Sequence, residues 1–310
     1  MRRGIWLAAA ALVAAAVLVP TAAQANPAFY AGPLFGISNA PGGALYVADA
    51  GKGIVDADTG ALVAPLGGIN DVAPIGRGES LAVATTDTQS GVFHASRGRV
   101  SFVADTQAFE ENTDPAGDGT DEGSNPFDLA RLGGHETLVA DAAGNDLLVV
   151  DDTGSIDWVA WFPEQGGIQP VPTSVVVGPD GAYYVGELTG APFPVGISRI
   201  WRIEPGTRHA ACGTSSACSV VATGLTAIID MQFGPDGKLY VAQIEDEGVG
   251  ALEGGGGVGG SVHACNVKTG ACQTVVSGIP ILTAIAFRGS TLWGAILSLV
   301  PGQADVVPLT

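Results

Sequence analysis

Basic residues are scarce in this sequence, with 13 Lys and Arg against 31 Asp and Glu over 310 residues and a formal net charge of −18. So few cations cannot neutralise a phosphate backbone, which excludes nucleic acid as a partner. Charged residues of both signs together make up only 14 %, and long helix formers are few, so a helical bundle is excluded as well. No G-x-S-x-G nucleophile elbow occurs. The four histidines, His94, His135, His209 and His263, fall in segments that read as loops or outer strands, so nucleophilic catalysis has no support. Beyond the first 25 residues no apolar run reaches the roughly 20 residues that a membrane span requires.

What is present begins with a leader. Arg2 and Arg3 precede an unbroken apolar and small-residue run from Ile5 to Val19, then Pro20, then Ala23-Gln24-Ala25. This is the pattern of a cleavable secretory signal over 1–25, leaving a mature chain that starts at Asn26. An N-terminal anchor is the competing reading, but the run is short for a span. Arg2-Arg3 is also a minimal twin-arginine match, with the general secretory route expected. Loss of the two arginines takes the net charge from −18 to −20. The expectation is a secreted, extracellular monomer with one domain over 26–310. Its acidic surface suits cationic ligands or divalent metals.

Cys212 and Cys218 bracket one turn-rich segment, and Cys265 and Cys272 bracket another. Four cysteines allow three pairings. Local pairing, Cys212–Cys218 and Cys265–Cys272, is expected because a tight hairpin brings its two strands within disulfide range. Zinc is the alternative, although the spacings are wider than paired C-x-x-C knuckles. Closing loops this short gains little entropy, so such bridges would pin turns.

With 46 Gly and 19 Pro the chain is turn-rich, and one phrase recurs. A short apolar strand leads to a Gly-rich turn and a second apolar strand that ends in a small residue. The clearest copies are 175–186 and 231–242, each turning at Gly-Pro-Asp-Gly; fainter copies end at Ala48, Ala84, Ala140 and Ala295. Pro presets φ, Asp caps locally and Gly accepts positive φ. Both strands are apolar without clean alternation, as expected where both faces of a sheet are covered. Six copies predict an all-β, six-bladed β-propeller with four-stranded antiparallel blades. Ala28–Leu34 resembles the outer strand Ser219–Leu225, and blade six lacks an obvious fourth strand. The N-terminal strand is therefore expected to close the last blade. A seventh repeat would have to lie between Ala84 and Ala140, which reads as acidic loop.

Three segments carry a family likeness. They are Asn125-Pro126-Phe127-Asp128, Pro172-Thr173-Ser174-Val175 leading to Gly178-Pro179-Asp180-Gly181, and Gly186-Glu187-Leu188-Thr189-Gly190-Ala191-Pro192-Phe193-Pro194-Val195-Gly196. Here the chain resembles the ScyD/ScyE family of exported propellers, named after proteins encoded in scytonemin sunscreen-pigment clusters. The likeness covers most of the mature chain. Val139–Leu147 is more loosely similar to NHL-type repeats. The resemblance implies the propeller fold and export and brings no particular reaction with it.

Candidate sites follow from carboxylate placement. Asp71, Asp128, Ser174 and Asp230 fall near the starts of successive inner strands, where a propeller lines its channel. Their alignment is open by one residue. Anchoring on Ile75, Leu132, Val177 and Phe233 would match Asp71 and Asp128 with Thr173 and Ile229 instead, and a one-residue slip reverses the face. A converging carboxylate ring and a set of hydrogen-bonding loop caps both fit. Glu187, beside Pro192-Phe193-Pro194, is a polar anchor next to an apolar wall or part of a covering loop. The acidic loop 110–123 offers Asp114, Asp118, Asp121 and Glu122 as Ca²⁺ ligands, or is a solvated insertion. Two functions remain: binding or scaffolding for a small molecule, metal or protein partner, and metal-assisted, lactonase- or lyase-like hydrolysis in the channel. For the second, the Asn-Asp-Gly and Asn-Gly segments of sugar-lactonase propellers are missing, and only Asn70-Asp71 echoes them.

Overall fold

The computed structural model describes residues 29–117, 123–253, 255 and 257–310, so the leader at 1–25 lies outside the described residues. Six antiparallel sheets follow one another along the chain. Their first strands are Leu34–Asn39, Ile69–Gly76, Pro126–Arg131, Pro172–Val177, Ile228–Phe233 and Ala284–Arg288. These touch one after another around a central axis, and the last returns to the first. The fold is a six-bladed β-propeller.

Apolar side chains gather into six clusters, one at each junction between neighbouring blades. Leu138, Ala140, Leu147 and Val149 face blade four, where they meet Val175, Val185 and Trp201. Their alternates Val139, Leu148 and Val150 face blade two and meet Val83, Val92 and Ala104. The two middle strands of blade three, Glu136–Asp141 and Asp146–Asp151, therefore bury both faces, which removes the apolar–polar alternation of a one-sided sheet.

Turn chemistry acts as the repeats implied. At Gly178–Gly181 and Gly234–Gly237 the hairpin closes through Gly178 N to Ala182 O (2.8 Å) and Gly234 N to Lys238 O (2.9 Å). Gly181 and Gly237 take φ of 78° and 77°. The turn Asp caps locally and also accepts from the tyrosine four residues on: Tyr184 Oη to Asp180 is 3.2 Å and Tyr240 Oη to Asp236 is 3.4 Å.

Both local disulfides are present, Cys212–Cys218 and Cys265–Cys272. The second joins directly opposed residues of a hairpin. The first closes a longer excursion. After its third strand, Ser198–Ile203, blade four sends Ala210–Ala211 to pair in parallel with the outer strand of blade three, Ile156–Trp161. The chain then returns to its own outer strand, Cys218–Leu225.

One expectation needs correction. The acidic segment begins as a helix, Thr106–Thr113, capped by Asp105 Oδ1 on Ala108 N (2.9 Å) and ended by Asp114 at φ 42°. The sixth sheet holds three strands among the described residues, and Ala28, where the N-terminal strand expected to close that blade begins, lies outside them. Ala31 N and Gly32 N donate to Asp49 (2.8 and 3.0 Å), which ties this segment to the first blade. Tyr30 packs in the cluster between blades six and one, with Ala304 and Val306.

Polar bonds complete the closure. Thr283 Oγ1 donates to the Leu34 carbonyl and lies 2.7 Å from Ser298 Oγ, while Asn39 Nδ2 donates to Phe287 O (2.6 Å). Thr283→Val keeps the shape and leaves two buried polar groups unsatisfied. It should lower unfolding free energy by about 1–3 kcal/mol with an unchanged denaturant slope in urea titration.

Candidate functional site in the central channel

An innermost strand pairs with its own blade along one edge and turns the other edge to the channel. Backbone groups buried there need partners, and side chains at two adjacent positions supply them. Asp128 Oδ2 accepts from Val175 N of blade four (2.7 Å), and Asp230 Oδ2 accepts from Ile285 N of blade six (2.6 Å). Asp71 Oδ2 reaches Leu129 N of blade three more weakly, at 3.4 Å. Through Oδ1, Asp128 and Asp230 also cap the N–H of their own next residue, each at 2.6 Å. One position earlier, Thr173 Oγ1 donates to Ile228 O (2.7 Å) and Asn70 Nδ2 to Pro126 O (2.9 Å).

Pairing skips one residue just before this level in five blades: at Phe35, Asn70, Phe127, Thr173 and Ile229. Each bulge re-aims the following side chain, so Gly36, Asp71, Asp128, Ser174 and Asp230 occupy one level. The register left open by the sequence is thereby settled. Ser174 and Asp230, not Thr173 and Ile229, are the counterparts of Asp71 and Asp128. Gly36 makes room for the ring, because a Cβ there would overlap Oδ1 of Asp71.

These carboxylates border a cavity of about 350 Å³. Asp71 is buried, while Asp128 and Asp230 keep part of their surface on the cavity. Burial pushes Asp71 well above the usual carboxylate range, and the charge of Asp128, a hydrogen bond with it, and Asp230 add to the rise. Asp230 is also raised well above that range, first by burial and then by Asp128. Asp128 is raised by burial, but the bonds from Asp71, Val175 N, the Ser174 hydroxyl and Leu129 N pull it back. Asp71 is raised further than Asp128, so their hydrogen bond favours the proton on Asp71.

The cavity extends from this level toward the ends of the inner strands, past Ser38, Val177 and Phe233. On the other side the channel is filled. Phe35 of blade one and Phe127 of blade three meet across it with ring centroids 5.3 Å apart, and Phe127 also packs on the cluster between blades five and six. The channel is a well, closed at the end where the inner strands begin.

The remaining candidates lie elsewhere. Glu187 is buried inside blade four, held by Arg199 Nε and Nη2 (2.7 and 2.8 Å) and by Trp201 Nε1 (2.6 Å). Burial raises it, and the bonds and charge of Arg199 and the bond from Trp201 lower it. Both of its oxygens are committed to blade four, and it does not line the cavity. Asp114 ends the helix, and its Oδ1 accepts from Gly117 N (3.0 Å). Asp118, Asp121 and Glu122 lie outside the described residues. Sequence reading missed Gly36 and the Phe35–Phe127 contact. Phe127 stood within the family-like segment, but nothing in the sequence linked it to Phe35.

No protein-family model matches the sequence, and no curated protein does. Solved structures do match. The gluconolactonase of Xanthomonas campestris is similar over 91 % of this chain and 88 % of its own, at 12 % identity and a TM-score of 0.60. The PQQ-bound aldose sugar dehydrogenase of Streptomyces coelicolor is similar over 90 % and 95 %, at 12 % identity and 0.59. Virginiamycin B lyase of Staphylococcus aureus is similar over 84 % and 77 %, at 13 % identity and 0.52. At these identities the likeness establishes the propeller fold alone.

The raised carboxyls set a pH dependence. An unfolded Asp titrates near ~3.9. A folded Asp71 that holds its proton to higher pH contributes stability that is full below that value and is lost as pH rises through the raised one. Asn at 71 can keep both hydrogen bonds without the ionisation. Asp71→Asn should therefore melt about 2–4 °C higher than the parent at pH 8. The difference should shrink to nothing near pH 4 in melts run across that range.

Proposed function

We propose that this chain is an exported, monomeric propeller of ScyD/ScyE type that binds a small molecule in its channel well. The observation that carries the reading is the set of three carboxylates from blades two, three and five on one blind cavity. A concave, mostly pre-formed site with a few convergent polar groups is where a small ligand binds. Export is supported by the leader at 1–25 and by the pairing of all four cysteines, which fits an oxidising compartment. No described helix is long and apolar enough to cross a membrane. Ca²⁺ in the acidic loop, on Asp114, Asp118, Asp121 and Glu122, is a further part of the proposal. A melting curve unchanged by chelator would remove it.

A second reading has one specific observation in its favour. The Asp71 and Asp128 carboxyls are hydrogen-bonded, and burial with the Asp128 charge raises Asp71 well above its usual range, as in an acid–base pair. Hydrolysis or lyase chemistry would then occur in the same well, the class of activity named for two of the propellers it resembles in shape. Steady turnover of a lactone or ester that disappears in Asp128→Asn would favour it over simple binding.

Thermal-shift measurement on the mature protein, with cationic, neutral and anionic small molecules and Ca²⁺, tests the binding reading. At least one class should raise the melting temperature by about 2 °C or more, equivalent to ligand well above its Kd. Asp230→Asn should lose that shift. A shift that survives Asp230→Asn places the ligand outside the channel and rejects the proposal.

A further inference from the structure

We infer that His263 is an acid-released latch: through Ser261 and Asp246, its neutral ring holds the segment 245–252 that braces the closed end of the channel. The parts lie in blade five. Strand Leu239–Gln243 is followed by Glu245 and Asp246, then by the short helix Val249–Glu253, and the chain returns as strand Gly260–Asn266. Asp246 Oδ1 accepts from Ser261 Oγ and from Gln243 Nε2, both at 2.6 Å. Ser261 Oγ lies 2.9 Å from His263 Nε2, and His263 Nδ1 lies 3.4 Å from Thr274 Oγ1. Gln243 and Ser261 are buried. A hydroxyl has one hydrogen to give. Ser261 gives it to Asp246, so the ring nitrogen beside it must bring its own. Neutral His263 therefore carries its hydrogen on Nε2, and the donors run one way, from His263 through Ser261 to Asp246.

The latch holds more than a surface turn. Val249 and Leu252 are buried in a cluster on which Phe127, Leu188 and Phe193 also pack, and Phe127 is one of the two rings that close the channel. Gln243 ties the same point to blade four. Its Oε1 accepts from Thr226 N (2.7 Å), and Thr226 Oγ1 accepts from Gly196 N (3.0 Å). A charge on His263 is what this site resists. The ring is half-buried, and burial lowers its pKa more than the Asp246 carboxylate raises it. Its other neighbours bring no charge: Ser261 on its own strand, Val241 and Gln243 on the strand before, Thr274 on the strand after. The facing outer strand of blade four, Cys218–Leu225, has no charged residue. Opening of 245–252 carries Asp246 away and gives the ring to water, where it titrates near ~6.5. Stability of the closed segment is thus full above that value and is lost as pH falls below it.

Hydrogen–deuterium exchange of the mature protein, read by mass spectrometry at pH 7.5 and 5.5 and corrected for intrinsic exchange, tests this. Peptides over 245–252 should lose protection about threefold to tenfold at the lower pH, tenfold being the limit that a free imidazole sets. Leu147–Val150 in blade three should stay unchanged. His263→Gln keeps a donor near the Nε2 position without a titrating ring, and should hold its protection at both pH values. Ser261→Ala cuts the relay and should lower protection at both. Nitrogen NMR of the ring at pH 7.5 should find its hydrogen on Nε2. Four results overturn the latch: protection of 245–252 that ignores pH, an equal loss at Leu147–Val150, a pH response that survives His263→Gln, or a ring hydrogen on Nδ1.

Discussion

The channel-facing edges of the six innermost strands are the constraint on which the molecule is organised. Around a closed ring these edges cannot pair with one another, because each belongs to a separate sheet set at an angle to the next. Every backbone N–H and carbonyl left there needs a side chain. The chain answers with acceptors for N–H groups, Asp71, Asp128, Asp230 and Gln232, and with donors for carbonyls, Asn70, Thr173 and Thr283. Most of these reach into the next blade. The same groups that fasten blade to blade therefore create the negative well.

That double use has an electrostatic cost. Three carboxyls on one small volume cannot all ionise cheaply, and burial pushes two of them well above their usual range. A structure needing only fasteners would be better served by Asn or Thr, which this chain uses at neighbouring positions. Retaining acids here departs from what stability alone favours, and such departures gather at functional sites.

Much of the fold was legible in the sequence because its signals are local. Gly-Pro-Asp-Gly dictates a hairpin whatever surrounds it, and apolar runs such as Leu147–Val150 declare two covered faces. The candidate ring residues were legible as positions but not as a ring. Whether Asp230 or Ile229 matched Asp128 turned on a single bulged residue, and a bulge is a property of pairing with no letter of its own. The meeting of Phe35 with Phe127 was hidden for a different reason, since it spans the ring between blades one and three. Glu187 stood in the most distinctive segment, yet its partners Arg199 and Trp201 lie on the adjacent strand and turn it inward. The start of the acidic segment misled through composition. Charged and polar residues masked a helix that Asp105 caps and a buried Glu110 anchors.

The excursion from blade four to blade three has a consequence for how the ring can be divided. Ala210–Ala211 lies between the third and fourth strands of one blade while bonded to the outer strand of the other, and Cys212–Cys218 bolts its root. A repeat array is modular only where its units part cleanly. Here the fourth unit is laced into the third, so duplication, deletion or a new chain terminus at that boundary would tear hydrogen bonds from both. The ring is thus six blades by geometry, with blades three and four laced together at one edge.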